Sequence, residues 1–361
     1  MHTYKIPLVP GPTVVAPEVL AAYLVNYGSS DLEEEFFRLY EDTEALLRSI
    51  LQTKNKFALM SGEAMVVLWG ALKSCLRPGD RVLCVATGVF GYGVAEMAKT
   101  ITNKVGVVGF EYDEIADPNR VEDAIQEFQP KMVTMVHCET PSGTLNPVAA
   151  IGELIRKYKV PLFYVDAVSS AAGTPLKTDE WNIDLCLVGT QKCLSAVPDL
   201  GIISVSDRAW EIIHNLGYQG YDALAPWEEA VKNRWFPYTM SWHALAGVKI
   251  ACERILSEGL EQVIDRHARA AEYCRQRIRE LGLELYPKKE DFCSPTVTAV
   301  KVPAKMSWKD LDTKLRVHGM AVGGSLGPLA DKVFRIGHMG RQANLTLLVK
   351  GMEVLEEVLR G

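Results

Sequence analysis

Two charged side chains stand where a charge is costly to bury. The stretch DLCLVGTQKCLSA (184–196) runs as a nearly unbroken apolar segment into Thr190-Gln191-Lys192, and LFYVDAVSS (162–170) runs the same way into Asp166. Lysine and aspartate are rarely buried unless paired, so their placement at the tails of two internal strands asks for a chemical reason. A partly desolvated lysine amine is a nucleophile near neutral pH, and a carboxylate beside a pyridine nitrogen keeps that ring protonated. Pyridoxal phosphate uses both, taking a lysine as its Schiff-base partner and an acid at its ring nitrogen. Alone, each residue also has an ordinary reading, Lys192 as an exposed lysine after a strand and Asp166 as a helix cap or turn former. The pair selects the cofactor.

The elements that must position this pair are legible as alternation. Apolar runs DRVLCVA, KVGVVGFEY, KMVTMVHCE, VPLFYVDAV, DLCLVGT and LGIISVS are separated by helical stretches such as VAEMAKTI, VEDAIQEF and AAIGELIRKY. Short apolar runs between helices predict a mostly parallel sheet covered on both faces, an α/β fold, and such sheets bind ligands beyond the carboxyl ends of their strands. After a long helix over roughly 241–258 the pattern changes to amphipathic helices and a few short strands. The reading is a large cofactor-binding α/β domain over 1–250, with the N-terminal segment, and a smaller α+β domain over 251–361. A net charge of -6 with no basic stripe speaks against nucleic-acid binding. The eight cysteines are scattered, with no metal or disulfide spacing. No signal-like start or apolar run of about 18 residues is seen. A reduced cytoplasmic protein with no metal site is expected.

The series GPT (11–13), SGEAMVVLWGAL (61–72), TGVFGYG (87–93), HCETPSGTLNP (137–147), YVDAVSS (164–170), GTQKCL (189–194), PYT (237–239) and FRIGHMG (334–340) resembles the class V aminotransferases. These are fold-type I enzymes of the alanine–glyoxylate and serine–pyruvate group, with pyridoxamine–pyruvate aminotransferase a near relative. The resemblance implies ping-pong transfer of an amino group from a small amino acid to a 2-oxo acid such as pyruvate or glyoxylate. It makes Lys192 the Schiff-base lysine and proton shuttle, and Asp166 the partner of the ring nitrogen. It further implies that Phe90 stacks on the ring, Thr140 bonds near its phenolic oxygen, and Ser61, Gly62, Glu63 and Gln191 surround the phosphate. Thr239 reaches the cofactor of a neighbouring subunit, which implies a homodimer or a tetramer built from it. Gly11 and Arg335 hold the substrate, Arg335 through its carboxylate.

Two other readings lose ground on the residues themselves. The stretch RVLCVATGVFGYGVAEMAK looks like a dinucleotide site, but its glycines read G-x-x-G-x-G rather than G-x-G-x-x-G. A cysteine desulfurase needs a reactive cysteine in a C-terminal loop, and AVGGSLGPLA (321–330) has none. A non-catalytic scaffold is not separable by sequence. Glu63 departs from the common pattern, since a carboxylate about 4 Å from a phosphate costs several kcal/mol per charge pair at intermediate dielectric. It leaves open an alternative in which unphosphorylated pyridoxamine is the substrate and no cofactor is permanently bound. Phe236, where some phosphate-binding relatives carry tyrosine, leans the same way, whereas Gln191 leans against it.

Overall fold

The computed structural model describes residues 3–360. Seven strands form the central sheet: β1 Lys56–Ser61, β2 Arg81–Ala86, β3 Lys104–Gly109, β4 Met132–Val136, β5 Leu162–Asp166, β6 Leu185–Gly189 and β7 Leu200–Val205. Their spatial order is β1-β7-β6-β5-β4-β2-β3. β2 to β6 run parallel to one another, and β7 pairs antiparallel with both β6 and β1. β4, β6 and β7 are unbroken runs of buried side chains, as expected for a sheet covered on both faces. β1 is not singled out by the sequence pattern. It has only one strand neighbour and supplies the loop Ser61-Gly62 to the site.

Helices start where the sequence offers caps. Asp117, Ser206, Ser241 and Ser307 each accept an amide hydrogen bond from the first turn of the adjoining helix. Two helices open toward the tails of the central strands: α1, Ala64–Cys75, after β1, and α2, Val89–Lys99, after β2. The second begins earlier than the helical stretch VAEMAKTI marked in the sequence, because it starts at Val89 and includes Phe90, Gly91 and Gly93. Toward the C-terminus, β8 (Val297–Lys301), β9 (Gly323–Gly324) and β10 (Val333–Gly337) form an antiparallel sheet in the order β8-β10-β9. Side chains from 270–278, 311–315 and 348–358 pack against it in a second apolar cluster, separate from the one around the central sheet. Ile6 and Leu8 join that second cluster, and Ile6–Pro7 pairs in parallel with Met320–Ala321. The pairing anchors the N-terminal segment so that Pro10, Gly11 and Pro12 run on into the central sheet's site. No helix among the described residues is long and apolar enough to cross a membrane.

Candidate active site

β5 and β6 are adjacent and parallel, with Asp166 paired in register with Leu187. Asp166 is the last residue of its strand, and Lys192 lies three residues beyond the end of β6. Both line one cavity of about 270 Å³, together with Gly11, Glu63, Phe90 and Gln191. Six of the residues selected from sequence therefore share one space.

Lys192 is half-buried. Its Nζ donates to the carbonyl of Pro10 at 2.6 Å. Burial pulls its pKa below the usual lysine value, and the guanidinium of Arg335 acts in the same direction. Gly11 sits directly against it, at φ +94°, and a Cβ there would lie 2.7 Å from Nζ. Only a glycine allows that approach in that backbone conformation. Asp166 is walled by protein and open only to the cavity. Burial pushes its carboxyl up to about 6, against the pull of the Val168 amide, which donates to Oδ1 at 2.9 Å, and of Lys192.

The anion end of the cavity holds a second carboxylate. Glu63 is the N-cap of α1: its Oε2 accepts the amide of Met65 at 3.1 Å, and its Oε1 accepts Nε2 of Gln191 at 2.9 Å. A helix N-terminus is a ready anion site, and here the chain's own carboxylate takes it. The expectation that Ser61 and Gly62 present their amides to a phosphate is not met. The Ser61 amide donates to the Tyr238 hydroxyl at 3.1 Å and the Gly62 amide to the carbonyl of Asp199 at 2.9 Å. Both donors are engaged by partners distant in sequence.

Thr140 is buried outside the cavity wall, its hydroxyl 2.5 Å from that of Ser169, which does line the cavity. Arg335, on β10, is buried and stands just beyond the lining residues. Its Nε donates to the Gly324 carbonyl at 2.9 Å, Nη2 reaches the same oxygen, and burial lowers its pKa to about 10. Thr239 does not meet the cavity within one chain, and its hydroxyl donates to Asp31 at 2.9 Å. Phe236 belongs to the core, stacked on Phe37 at 5.5 Å and 5.1 Å from Tyr40. His137 and His338 are buried and held neutral, burial lowering them to about 4 and about 3. Cys193 is likewise inert, its thiol pushed up to about 12 by burial.

Sequence reasoning missed Glu139, Met65, Cys138, Ser169 and Pro198. The last four line the cavity, and Glu139 grips the start of α2. Glu139 closes the strand-tail motif HCE just before Thr140, and that position was the available signal.

Known proteins share this arrangement along nearly the whole chain. The profile of "Aminotransferase class-V" matches residues 12–331. The chain belongs to the class V aminotransferase family. It is 32% identical to the alanine–glyoxylate aminotransferase of Oryctolagus cuniculus over 99% of this chain and 93% of that one. It is 32% identical to the pyridoxamine–pyruvate transaminase of Mesorhizobium japonicum over 97% of this chain and 90% of that one. The crystal structure of pyridoxamine–pyruvate aminotransferase from Mesorhizobium loti superposes with a TM-score of 0.96 at 31% identity, covering 99% of this chain and 93% of that one. The fold is that of the fold-type I aminotransferases, and the protein is an aminotransferase of the type that uses pyridoxal 5'-phosphate.

The residues present fit that cofactor's ring. A partly desolvated amine, a carboxylate without a salt-bridge partner among the described residues, and an aromatic side chain line one cavity. At the other end donors are also present, Gln191 and the first turn of α1, which Glu63 now engages and which would hold a phosphate only if Glu63 gave way.

Proposed function

We propose that the chain transfers the amino group of a small amino acid to a 2-oxo acid such as pyruvate or glyoxylate, with Lys192 as the reacting amine. The observation that carries this reading is the convergence of Lys192 and Asp166 on one cavity from adjacent strand ends. The cofactor, when bound, supplies an electron sink that lets a proton leave a carbon otherwise far too weak an acid. The chain's own residues do the rest. Asp166 holds the proton on the ring nitrogen. Lys192, its pKa lowered by burial and by Arg335, takes up and returns the migrating proton. Arg335 receives the substrate carboxylate, Gly11 gives the substrate room above the lysine, Phe90 backs the ring and Thr140 steadies its phenolic side through Ser169. The pocket is largely apolar, which strengthens each of these interactions.

A second reading is favoured by Glu63. A carboxylate already bonded to Gln191 and the α1 N-terminus substitutes for a phosphate, so an unphosphorylated ring fits without displacing anything. In that reading pyridoxamine is itself the amino donor and pyruvate the acceptor, the reaction named for the Mesorhizobium relatives. Titration of the purified protein with pyridoxal phosphate and with pyridoxal separates the two: tight binding of the unphosphorylated compound alone favours the second.

Assembly is read from the surface. The segments 24–32 and 221–239, tied by the Thr239–Asp31 hydrogen bond, leave Leu24 88%, Leu32 81%, Tyr221 76% and Trp235 57% exposed. So many large apolar side chains in water mark an interface, and a homodimer covers them while bringing Thr239 toward the partner's site. The division into a cofactor domain over 1–250 and a smaller one over 251–361, and a cytoplasmic location, complete the reading. The direct test is Lys192→Ala: amino acid half-reactions are abolished while thermal unfolding stays cooperative, and a variant with near-normal turnover overturns the assignment.

A further inference from the structure

The glycines of TGVFGYG do not serve a dinucleotide, yet two of them are sterically required. Gly88 lies in extended backbone, and a Cβ built on it would fall 2.7 Å from Cδ of Glu139; on Gly91 a Cβ would fall 3.2 Å from Oε1 of the same carboxylate and 2.9 Å from Cα of Ala86. The glycines make room for an acid that arrives from a different strand tail. Glu139, 48 residues away from Gly91, is fully buried. Its two oxygens accept one amide each, Oε1 from Gly91 at 2.6 Å and Oε2 from Phe90 at 3.1 Å.

No residue of α2 itself caps the helix, and Gly88 at the N-cap position has no side chain to do so. The tertiary carboxylate therefore serves as the cap, bonded to the backbone of Phe90, whose side chain lines the cavity beside Asp166 and Lys192. Keeping an acid there is costly. No cation pairs with it among the described residues, burial pushes its carboxyl up to about 7, and Asp166 adds to that push. A buried carboxylate is destabilising unless its oxygens are bonded. Here both are, by two successive amides at the start of one helix.

We propose that Glu139 is a positioning residue for the bound ring: by gripping the first turn of α2 it fixes the backbone of Phe90 and so holds the Phe90 ring against the pyridine face. The proposal rests on the reading of the cavity as the pyridoxal site. Glu139 touches neither ring nor substrate and acts through Phe90. Its replacement by glutamine keeps size and one acceptor but sets an NH2 group against a backbone N–H.

The test uses the full-length protein, with pyridoxal phosphate and pyridoxal as separate probes. Glu139→Gln is expected to weaken binding of the better probe about tenfold, as loss of one charge-assisted hydrogen bond implies. It is also expected to shrink the induced circular dichroism of the bound ring and to speed amide exchange over 88–95 in the ligand-free protein. Phe90→Leu is expected to weaken binding by itself, and the double variant to bind no worse than Phe90→Leu, since coupled residues are non-additive. Additive losses, or unchanged binding and exchange in Glu139→Gln, overturn the proposal. If Glu139→Gln does not fold, Glu139→Asp is measured in the same cycle; it keeps the charge but withdraws it by one methylene, and it must show a smaller loss of the same kind. Failure of the unaltered protein to bind either probe overturns the reading of the cavity and the proposal with it, whereas normal binding without coupling overturns the proposal alone.

Discussion

Glu63 and Gln191, 128 residues apart in the chain, meet in a 2.9 Å hydrogen bond at the start of α1, closing the end of the cavity where a phosphate would lie. The carboxylate and a phosphate monoester compete for the same two donors. At about 4 Å and an effective dielectric near 20, each like-charge pair is repulsive by about 4 kcal/mol. Rotation of Glu63 toward solvent relieves part of that, so Glu63→Gln is expected to raise affinity for pyridoxal phosphate about ten-fold or more while leaving pyridoxal within about three-fold. Equilibrium titration of both compounds measures it. Equal change for the two would show that Glu63 does not discriminate on charge.

Arg335 is tethered on one side and free on the other. Its Nε and Nη2 are tethered to one carbonyl, that of Gly324, which fixes the plane of the guanidinium, and Nη1 has no hydrogen-bond partner among the described residues. Arg335→Lys keeps the charge but loses the planar fork and the tether. The expected result is a rise in KM for both amino acid and 2-oxo acid of about ten- to a hundred-fold, the size of a lost charge-assisted pair. The Lys192 pKa is expected to stay lowered, because a lysine at 335 keeps the positive charge that Arg335 now sets near it. An unmoved amine limb in the kinetic pH profile checks that second effect.

Much of this site is legible in the sequence, for a reason that also marks the limit. Asp166 and Lys192 stand out as a pair, because each alone has an ordinary reading but an acid and a lysine at neighbouring strand tails suit one cofactor. Phe90 emerges from the resemblance, yet three glycines in seven residues read as a turn; the helix starts there because Glu139 caps it from a distant strand tail. The amides of Ser61 and Gly62 likewise look free for a ligand, and their true acceptors, Tyr238 and Asp199, are far along the chain. Local pattern reveals which residues carry chemistry. It does not reveal which backbone donors the fold has already used.

The exposed apolar side chains of 24–32 and 221–239 give a prediction about assembly. Trp235→Glu places a charge in the second of these exposed segments, and is expected to convert a dimer to a monomer in size-exclusion chromatography with light scattering. Within one chain the substitution touches no core cluster, because Trp235 is more than half exposed. Loss of turnover in parallel with loss of the dimer supports a shared site reached by Thr239. A monomer that stays fully active removes Thr239 from the site, and an unaltered molecular mass in Trp235→Glu removes this face from the interface.

Asp166 links function to stability through pH. Burial raises its carboxyl from the usual value near 3.8 to about 6 in the folded chain. Between those values the folded state binds more protons than the unfolded state, so stability falls as pH rises through roughly 4 to 6 and stays lower above it. The shift is equivalent to at most about 3 kcal/mol, and less in practice because the group faces a cavity that water can enter. Asp166→Asn removes the cost: the ligand-free variant is expected to melt higher than the unaltered protein at about pH 8 and no higher at about pH 4, measured by calorimetry. The same substitution removes the charge that keeps the ring nitrogen protonated, so half-reaction rates should fall by several orders of magnitude while the fold gains. A variant that loses activity without gaining stability at the higher pH would mean that a partner not seen in the single chain already compensates Asp166.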